Sequence, residues 1–442
     1  MTTSFIQVFF FLLAGIALII FLTVKYRVHP FFALLLACFL VGFGVQLSFA
    51  NILTAVKDGF GHIMQSLGLI IVLGTTLGVL LEHSGSTKVM ANFILKKTSE
   101  QKAPLAMGIT GFIIGLPVFC DSGYIVLSGL NQSLSKRTGL SVVIMSVSLA
   151  TGLLSVHCLV PPHPGATAAA VTLGVDLGKL LLTGMAVAIP GMIAGYLWAQ
   201  YAGKNVPIVE AATEHIDDTK HSPSVIMAFL PVLVPVFLIA VHSMFTLEKN
   251  NTNLFEKIMA VLGEPVVALS IGVLLVFANM HSLKKNIISK LLQEGAEKAG
   301  GILVIIGAGG AFGAVLAATK IGDHFGQSLN LSGMGIFFPF LLTFILKTAQ
   351  GSSTVAIITA ASIIQPLVPA LGLDTENGRL LCVLSMGAGS MMVSHANDAY
   401  FWVISKFSGI EMRPMLKVYS TATICMGLVT LLVVYLLSLF LL

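Results

Sequence analysis

Residues 157–167 read His157-Cys-Leu-Val-Pro-Pro-His-Pro-Gly-Ala-Thr167 and interrupt an apolar segment that runs from residue 139 to residue 174. Proline lacks the N–H group that a helix interior needs, so the stretch ends one helix, and Pro162 and Pro164 fit the first turn of another. Irregular backbone at membrane depth is tolerated only where protein or a water-filled cavity satisfies its polar groups. The stretch therefore predicts a broken helix beside an internal site.

Three other apolar segments contain comparable breaks, in which helix-breaking residues stand beside residues that cap a new helix. They read Gly115-Leu-Pro-Val-Phe-Cys-Asp-Ser-Gly123, Lys347-Thr-Ala-Gln-Gly-Ser-Ser-Thr354 and Ser394-His-Ala-Asn-Asp398. Short polar side chains such as these can accept hydrogen bonds from the first N–H groups of the helix that follows. The pattern predicts two breaks in each half of the chain.

The composition indicates that these breaks belong to a membrane protein. The chain has 442 residues, 56% of them hydrophobic and 10% charged, with a mean hydropathy of +0.96. Soluble domains carry about 25% charged residues, so a soluble enzyme, a secreted module and a disordered protein are excluded. We predict an all-α polytopic membrane protein with about ten spanning helices of about 20 residues each.

Net charge and cysteine content argue against a nucleic-acid partner, a disulfide framework and a zinc module. The net charge of +5 is a weak excess and indicates no nucleic-acid partner. The five cysteines lie in apolar stretches without paired spacing, so we expect neither a disulfide framework nor a zinc module, and no cofactor.

The basic residues predict the topology, because cytoplasmic loops carry an excess of lysine and arginine. Placing the basic loops inside leaves both termini outside and makes residues 203–222 a cytoplasmic linker. Segments 104–134 and 331–370 then begin and end on one side of the membrane, so each is predicted to be a re-entrant hairpin. Segments 139–174 and 379–405 are predicted to be broken helices that cross.

Landmarks of the first half recur in the second half at a nearly constant spacing. The motif at Gly74 recurs at Gly309, and the break at Pro161 recurs at His395, with offsets of 309 − 74 = 235 and 395 − 161 = 234. An odd number of crossings in each half makes such a repeat inverted, as in many secondary transporters. The two predicted inverted repeats are residues 1–202 and residues 223–442.

The breaks predict a site for a small organic anion. A helix that starts at the midplane leaves up to four N–H groups unpaired and carries about +0.5 of an elementary charge there. Four such starts facing one another would attract an anion, and nearby hydroxyl groups would suit a hydroxylated one. The predicted substrate-binding residues are Ser122, Gly123, His163, Gly165, Thr167, Gly351, Ser352, Ser353, Thr354, His395 and Asn397.

Charged residues within the apolar segments are predicted to be functional, because charge at membrane depth is costly. Burial of Asp121 among apolar neighbours favours its protonated form, which suits a proton carrier, and we assign Asp398 to proton coupling as well. Lys347 is a possible charge partner of the anion or of an aspartate, or an anchor for its hairpin. The aspartates could instead act only as helix caps, and His157, which precedes its break, is predicted to be structural.

Six stretches carry a resemblance to a known family. They are Gly68–Gly74 with Leu81–Gly85, Pro117–Gly123, Val160–Gly165, Gly307–Gly313, Gly351–Val355 and Ser394–Asp398. With them the chain resembles the gluconate permease family of bacterial sugar-acid:proton symporters, within the ion transporter superfamily. The resemblance implies proton-coupled import of gluconate or a related acid through the inner membrane, by a homodimer with an elevator-like motion. It also places the family's acidic hairpin position on Asp121.

The hairpin tip departs from the family pattern, so the substrate stays open. Many members have an apolar aromatic residue and a glutamate at this tip, where this chain has Cys120-Asp121-Ser122. Glycerate and D-serine therefore stand beside gluconate as candidate substrates. Coupling to sodium, at Asn397 and the backbone of Ser352–Thr354, is the alternative to proton coupling.

Two readings from other classes are less favoured than transport. An intramembrane metalloenzyme would use His157, His163 and His395, but the chain has no His-Glu-Xaa-Xaa-His pair. The paired breaks fit a transporter with alternating access better than a channel. The glycine run from Gly307 to Gly313 follows no strand, so it predicts close helix packing rather than a nucleotide-binding loop.

Overall fold

The computed structural model describes residues 5–96, 102–204, 223–246, 254–280, 285–320, 333–395 and 398–442, and helices dominate all of these ranges. Among them, seven helical segments are long and apolar enough to cross a membrane, and five shorter apolar helices accompany them. The chain is therefore an all-helical, multi-pass membrane protein, as its composition predicts.

Short polar side chains and prolines begin many of the helices. The helices of the first half are α1 (Phe5–Val24), α2 (Pro30–Gly44), α3 (Phe49–His83), α4 (Ser86–Lys96), α5 (Ala103–Gly115), α6 (Cys120–Thr138), α7 (Val142–Leu159), α8 (Pro164–Leu173) and α9 (Leu177–Gly203). Ser48 caps α3 by accepting from the Asn51 N–H, and Asp176 caps α9 in the same way. Gly174, at a φ of +68°, ends α8 in the left-handed conformation that glycine adopts without strain.

The described residues of the second half are also mainly helical. Its helices are α10 (Val225–Thr246), α11 (Leu254–Leu262), α12 (Pro265–Asn279), α13 (Lys285–Ala318), α14 (Phe337–Gln350), α15 (Ser353–Ile364), α16 (Glu376–Met391), α17 (Ala399–Ser408) and α18 (Thr421–Leu441). A 3-10 turn, Gln365–Leu367, continues α15, and a π-helical segment, Met415–Ser420, leads into α18.

Helix bounds recur between the halves at one spacing. The starts of α2 and α12 differ by 265 − 30 = 235 positions, and their ends by 279 − 44 = 235. The starts and ends of α8 and α17 give the same offset, 399 − 164 and 408 − 173. The spacing that separates the sequence landmarks therefore also separates whole helices.

Glycines bring the long helices α3 and α13 together. A Cβ atom on Gly59 would lie 2.4 Å from the carbonyl oxygen of Gly310, and one on Gly310 would lie 2.4 Å from Ile63 Cγ1. A Cβ on Gly309 would lie 2.5 Å from Ile358 Cγ2, on α15. The glycine run therefore serves close packing, as predicted, and α13 packs against both α3 and α15.

The predicted breaks interrupt the helices where the sequence places them. The α5 helix ends at Gly115 before α6, α7 ends at Leu159 before α8, α14 ends at Gln350 before α15, and α16 ends at Met391 before α17. Almost every residue of α7 is buried, so this arm lies inside the protein and away from lipid. Short helices of one half pack against short helices of the other, α8 against α15 and α17 against α6.

Polar contacts connect the two halves at several points. Lys179 Nζ lies 2.7 Å from Glu376 Oε1, and Gln132 donates to the carbonyl of Phe407. Within the second half, Asn377 Nδ2 donates to the carbonyl of Leu441 at 3.2 Å. The predicted linker lies outside the described residues except for its first two positions.

Candidate functional site

The four short helices that follow the breaks begin around one cavity. It has a volume of about 570 Å³. Its wall is formed by Phe119, Cys120, Asp121, Ser122, Leu154, His157, Pro164, Lys298, Ile302, Ile305, Gly351, Ser352, Ser353, Thr354, Val355, Ile358, Asp398, Ala399 and Tyr400. The first residues of α6, α8, α15 and α17 are all in this set, so the partial positive charges of four helix N-termini meet in one space.

The hydroxyl cluster at the start of α15 faces the cavity. Ser352 caps the helix by accepting from the Val355 N–H at 3.3 Å, and Ser353 donates to the carbonyl of Ser390 at 2.9 Å. Thr354 Oγ1 lies 3.2 Å from His157 Nε2. Each oxygen keeps further lone pairs after these bonds, so the cluster can still contact a hydroxylated ligand.

Asp121 is the second residue of α6 and lies partly buried on the cavity wall. Within the described ranges no cation lies at salt-bridge distance from its carboxylate. The Cys120 thiol donates to Asp121 Oδ1 at 4.0 Å. Its carboxylate is influenced electrostatically by Asp398 and Lys347. The side chain is thus a cavity carboxylate without a cation bound to it.

Asp398 is held in place by a polar network. Its Oδ2 atom lies 2.6 Å from Lys347 Nζ and accepts from the Ser394 hydroxyl, while Oδ1 accepts from the Tyr400 N–H at 3.0 Å. Lys347 is 1% exposed and also donates to the carbonyl of Gly351. Of the alternatives open for Lys347, the structure shows pairing with an aspartate, and this pair ties the end of α14 to the start of α17.

The histidines at the breaks bind backbone instead of facing the cavity. His163 Nε2 contacts the carbonyl of Gly115, and His395 Nε2 lies 3.2 Å from the carbonyl of Thr348. His163 therefore connects the start of α8 to the end of α5, and His395 connects the break before α17 to α14. The Thr167 hydroxyl donates to the carbonyl of His163 at 2.7 Å.

Two predicted ligand glycines serve packing in this structure. A Cβ on Gly123 would lie 2.8 Å from Leu153 Cδ2, and one on Gly165 would lie 3.2 Å from Thr354 Cα. Neither they nor the two backbone-bound histidines are part of the cavity wall. Asn397, the remaining predicted ligand, lies outside the described residues.

Comparison with known proteins identifies the family. The profile described as GntP family permease matches residues 7–440, nearly the whole chain. The chain belongs to the GntP permease family.

Relatives within the GntP family align with the chain over nearly its full length. The gluconate permease of Pseudomonas aeruginosa is 32% identical over 434 residues, which cover 96% of this chain and 96% of that protein. The D-serine transporter DsdX of Escherichia coli strain CFT073 is 31% identical and covers 97% of each. These relatives indicate a transporter of the membrane, not an enzyme.

The fold of this GntP permease is shared with a solved transporter. The crystal structure of the YdaH transporter of Alcanivorax borkumensis superposes with a TM-score of 0.65 over 88% of each chain, at 13% identity. At that identity the likeness concerns the fold alone.

Three polar residues of the cavity were not predicted as ligands. His157 reaches Thr354, Tyr400 is the second residue of α17, and Lys298 enters the wall from α13. Lys298 could have been found from spacing, because it precedes Ile302 and Ile305 by four and seven positions and so shares their helix face. Among the described residues, no three His, Cys, Asp or Glu side chains are grouped to hold a metal ion.

Proposed function

We propose that this permease imports gluconate, or a related small hydroxy or sugar acid, across the inner membrane by proton symport. The observation that supports this most directly is the cavity on which the starts of α6, α8, α15 and α17 converge. Helix N-termini favour an anion, and the Ser352–Thr354 hydroxyls can hydrogen-bond its hydroxyl groups. Relatives that transport gluconate and D-serine are in keeping with a substrate that carries both a carboxylate and hydroxyls.

We assign the proton to Asp121 rather than to Asp398. Both were predicted to couple protons, but Asp398 is bound by Lys347, Ser394 and the Tyr400 N–H. Asp121 has a side chain on the cavity and no cation at salt-bridge distance among the described residues. Protonating it would remove a negative charge beside the anionic substrate, which lowers the cost of carrying the loaded site through the bilayer.

The architecture that accompanies this function is also part of the proposal. Two inverted repeats, residues 1–202 and 223–442, are supported by the offset of 235 between α2 and α12 and between α8 and α17. Each would contain one re-entrant hairpin and one broken helix, with the linker in the cytoplasm and both termini outside. A homodimer with an elevator-like motion follows from the family resemblance.

Uptake into proteoliposomes tests the coupling. The purified permease is expected to concentrate labelled gluconate, glycerate or D-serine when the lumen is alkaline relative to the bath. An inward sodium gradient at equal pH should give no accumulation. Accumulation driven by sodium alone would overturn proton symport and favour the sodium-coupled alternative.

A ligand panel tests the substrate. Gluconate, other sugar acids, glycerate and D-serine are each added to the detergent-solubilised permease, and the melting temperature is recorded. A substrate binds the folded state and raises that temperature by mass action. If none of the acids does so, the assignment to this substrate class is wrong.

A further inference from the structure

Lys298 is a lysine of the cavity wall that has no role in the mechanism described so far. It lies on α13, whereas Asp121 and Asp398 belong to the short helices that begin at the breaks. We propose that Lys298 binds the carboxylate of the substrate and so sets the preference of the cavity for acids. This inference deepens the proposed function and rests on it.

The other lysine close to the cavity already has its charge compensated. Lys347 Nζ contacts Asp398 Oδ2 at 2.6 Å and is 1% exposed, and it is not part of the cavity wall. Moving it to a ligand would leave the Asp398 carboxylate unpaired in a buried site, which is strongly unfavourable. Lys347 therefore holds the fold of the site, and Lys298 is the lysine placed to meet a ligand.

Lys298 has a partner that it can exchange. Its ammonium lies 2.8 Å from Glu294, one helical turn earlier, and the two side chains are 38% and 39% exposed. Ion pairs of this exposure are weak, because water competes with each partner. An ammonium group has three donors, so Lys298 can add or substitute a substrate carboxylate at little cost.

The position on α13 also fits the shape of a sugar acid. Lys298, Ile302 and Ile305 lie on one helix face and all line the cavity, so the ammonium stands at one end of an apolar wall. The Ser352–Thr354 hydroxyls line the same cavity from α15. A carboxylate at Lys298 would leave the hydroxylated carbons of the molecule to meet those side chains. One such lysine per cavity suits a substrate with one carboxylate.

Binding measurements on full-length purified variants test this assignment. The Kd values of gluconate and of its neutral analogue gluconamide are measured by calorimetry for the wild type and for Lys298→Gln. The substitution is expected to weaken gluconate binding at least about tenfold, as for loss of a hydrogen bond to a charged group. It should leave gluconamide binding nearly unchanged, so the preference for the acid disappears.

Three further variants make the test independent of folding defects. Lys298→Arg keeps the charge and should stay within about threefold of wild type. Glu294→Gln removes one of the two carboxylates that act on Lys298, the other being Glu82, and should tighten gluconate binding about twofold or more. Lys290→Gln makes the same charge change on an exposed position of α13 outside the cavity wall and should have no effect.

The inference is overturned if Lys298→Gln elutes as a folded protein and retains the wild-type preference for gluconate over gluconamide. It is also overturned if Glu294→Gln weakens binding or if Lys290→Gln acts like Lys298→Gln. Wild-type permease that binds gluconate through Lys298 but shows no proton-driven uptake would refute the symport and leave this inference standing. Wild-type permease that binds none of gluconate, glycerate and D-serine would refute both.

Discussion

Asp121 and Asp398 line the same cavity but differ in what surrounds their carboxylates. Asp398 contacts a lysine, a serine hydroxyl and a backbone N–H group, whereas Asp121 has none of these contacts within the part of the chain that the structure describes. A carboxylate that is held by an ion pair and that caps a helix serves to position helices. A buried carboxylate with a free face can gain and lose a proton as a substrate arrives and leaves.

The Asp121→Asn variant is expected to lose proton-driven accumulation and to keep exchange of internal for external substrate. The amide preserves the shape of the side chain but cannot release a proton. Counterflow and pH-driven uptake in the same proteoliposomes measure the two activities. Asp374→Asn, an exposed loop position, is the matched control and should leave both intact. An Asp121→Asn variant that still concentrates substrate with a proton gradient alone would contradict the assignment.

The Lys347–Asp398 pair gives a prediction about stability. Asp398→Asn should destabilise the protein by about 3–5 kcal/mol, because it leaves the Lys347 charge buried without a partner. The double variant Lys347→Met with Asp398→Asn should recover part of that loss, as measured by denaturation in detergent.

The exposed pair Lys179 and Glu376 supplies the control. Their side chains are 27% and 60% exposed, so removing one partner should cost about 1 kcal/mol or less. Equal losses for the two pairs would show that burial of Lys347 does not matter.

At the scale of single residues, the sequence predicts those site residues that a local sequence pattern marks. Asp121, Ser352 and Thr354 lie within a few residues of a glycine or proline in otherwise apolar segments, a pattern typical of a helix start. His157 and Lys298 reach the cavity only because helices distant in sequence pack together. The spacing of Lys298 to Ile302 and Ile305 marks a shared helix face, but that this face meets the cavity, and that His157 does, follows only from the fold.

Among the helices, α13 has two roles, in helix packing and in the cavity wall. Its glycines let α3 approach closely, while the turn from Lys298 to Ile305 forms part of the cavity wall. The sequence predicted the role of the glycines correctly, because a glycine run without a preceding strand favours packing. Lys298 was not among the predicted ligands, because its contact with the cavity depends on how α13 packs against the other helices.

The packing of α13 predicts opposite effects for two similar substitutions. Gly310→Ala should destabilise the protein by about 1–3 kcal/mol, because the new methyl group would overlap Ile63 and the Gly59 carbonyl. Gly300→Ala, on the same helix, meets nothing within 4 Å and should be neutral or stabilise by up to about 1 kcal/mol. Melting temperatures of the two variants in detergent compare them. A similar loss for both would mean that contact with α3 is not what fixes glycine at position 310.

For the whole molecule, helix bounds give more information than sequence identities. Few residues match between the halves, yet α2 and α12, and α8 and α17, repeat with one spacing. A repeat can lose its sequence likeness while its breaks and helix lengths persist, because membrane thickness and the site constrain those lengths. The proposed inverted repeats would account for the offset seen in the sequence landmarks.

The proposed topology predicts labelling from opposite sides of the membrane. Asp374→Cys lies in the loop before α16, which that topology places outside, and Glu411→Cys lies after α17, in a loop that it places inside. A membrane-impermeant maleimide added to intact cells should label the first variant and not the second. The native cysteines are buried or half-buried and provide the background control. Labelling of both variants, or of Glu411→Cys alone, would contradict the proposed topology.

The crossing of α8 onto α15, and of α17 onto α6, has a consequence for biosynthesis. The start of α8 rests against Thr354, a residue synthesised nearly 190 positions later, since 354 − 165 = 189. A nascent first half has its polar break inserted before the surface that covers it exists. The first half is therefore expected to complete its fold only after the second half has been synthesised. Two separately expressed halves should become protease-resistant only when they are produced in the same cell.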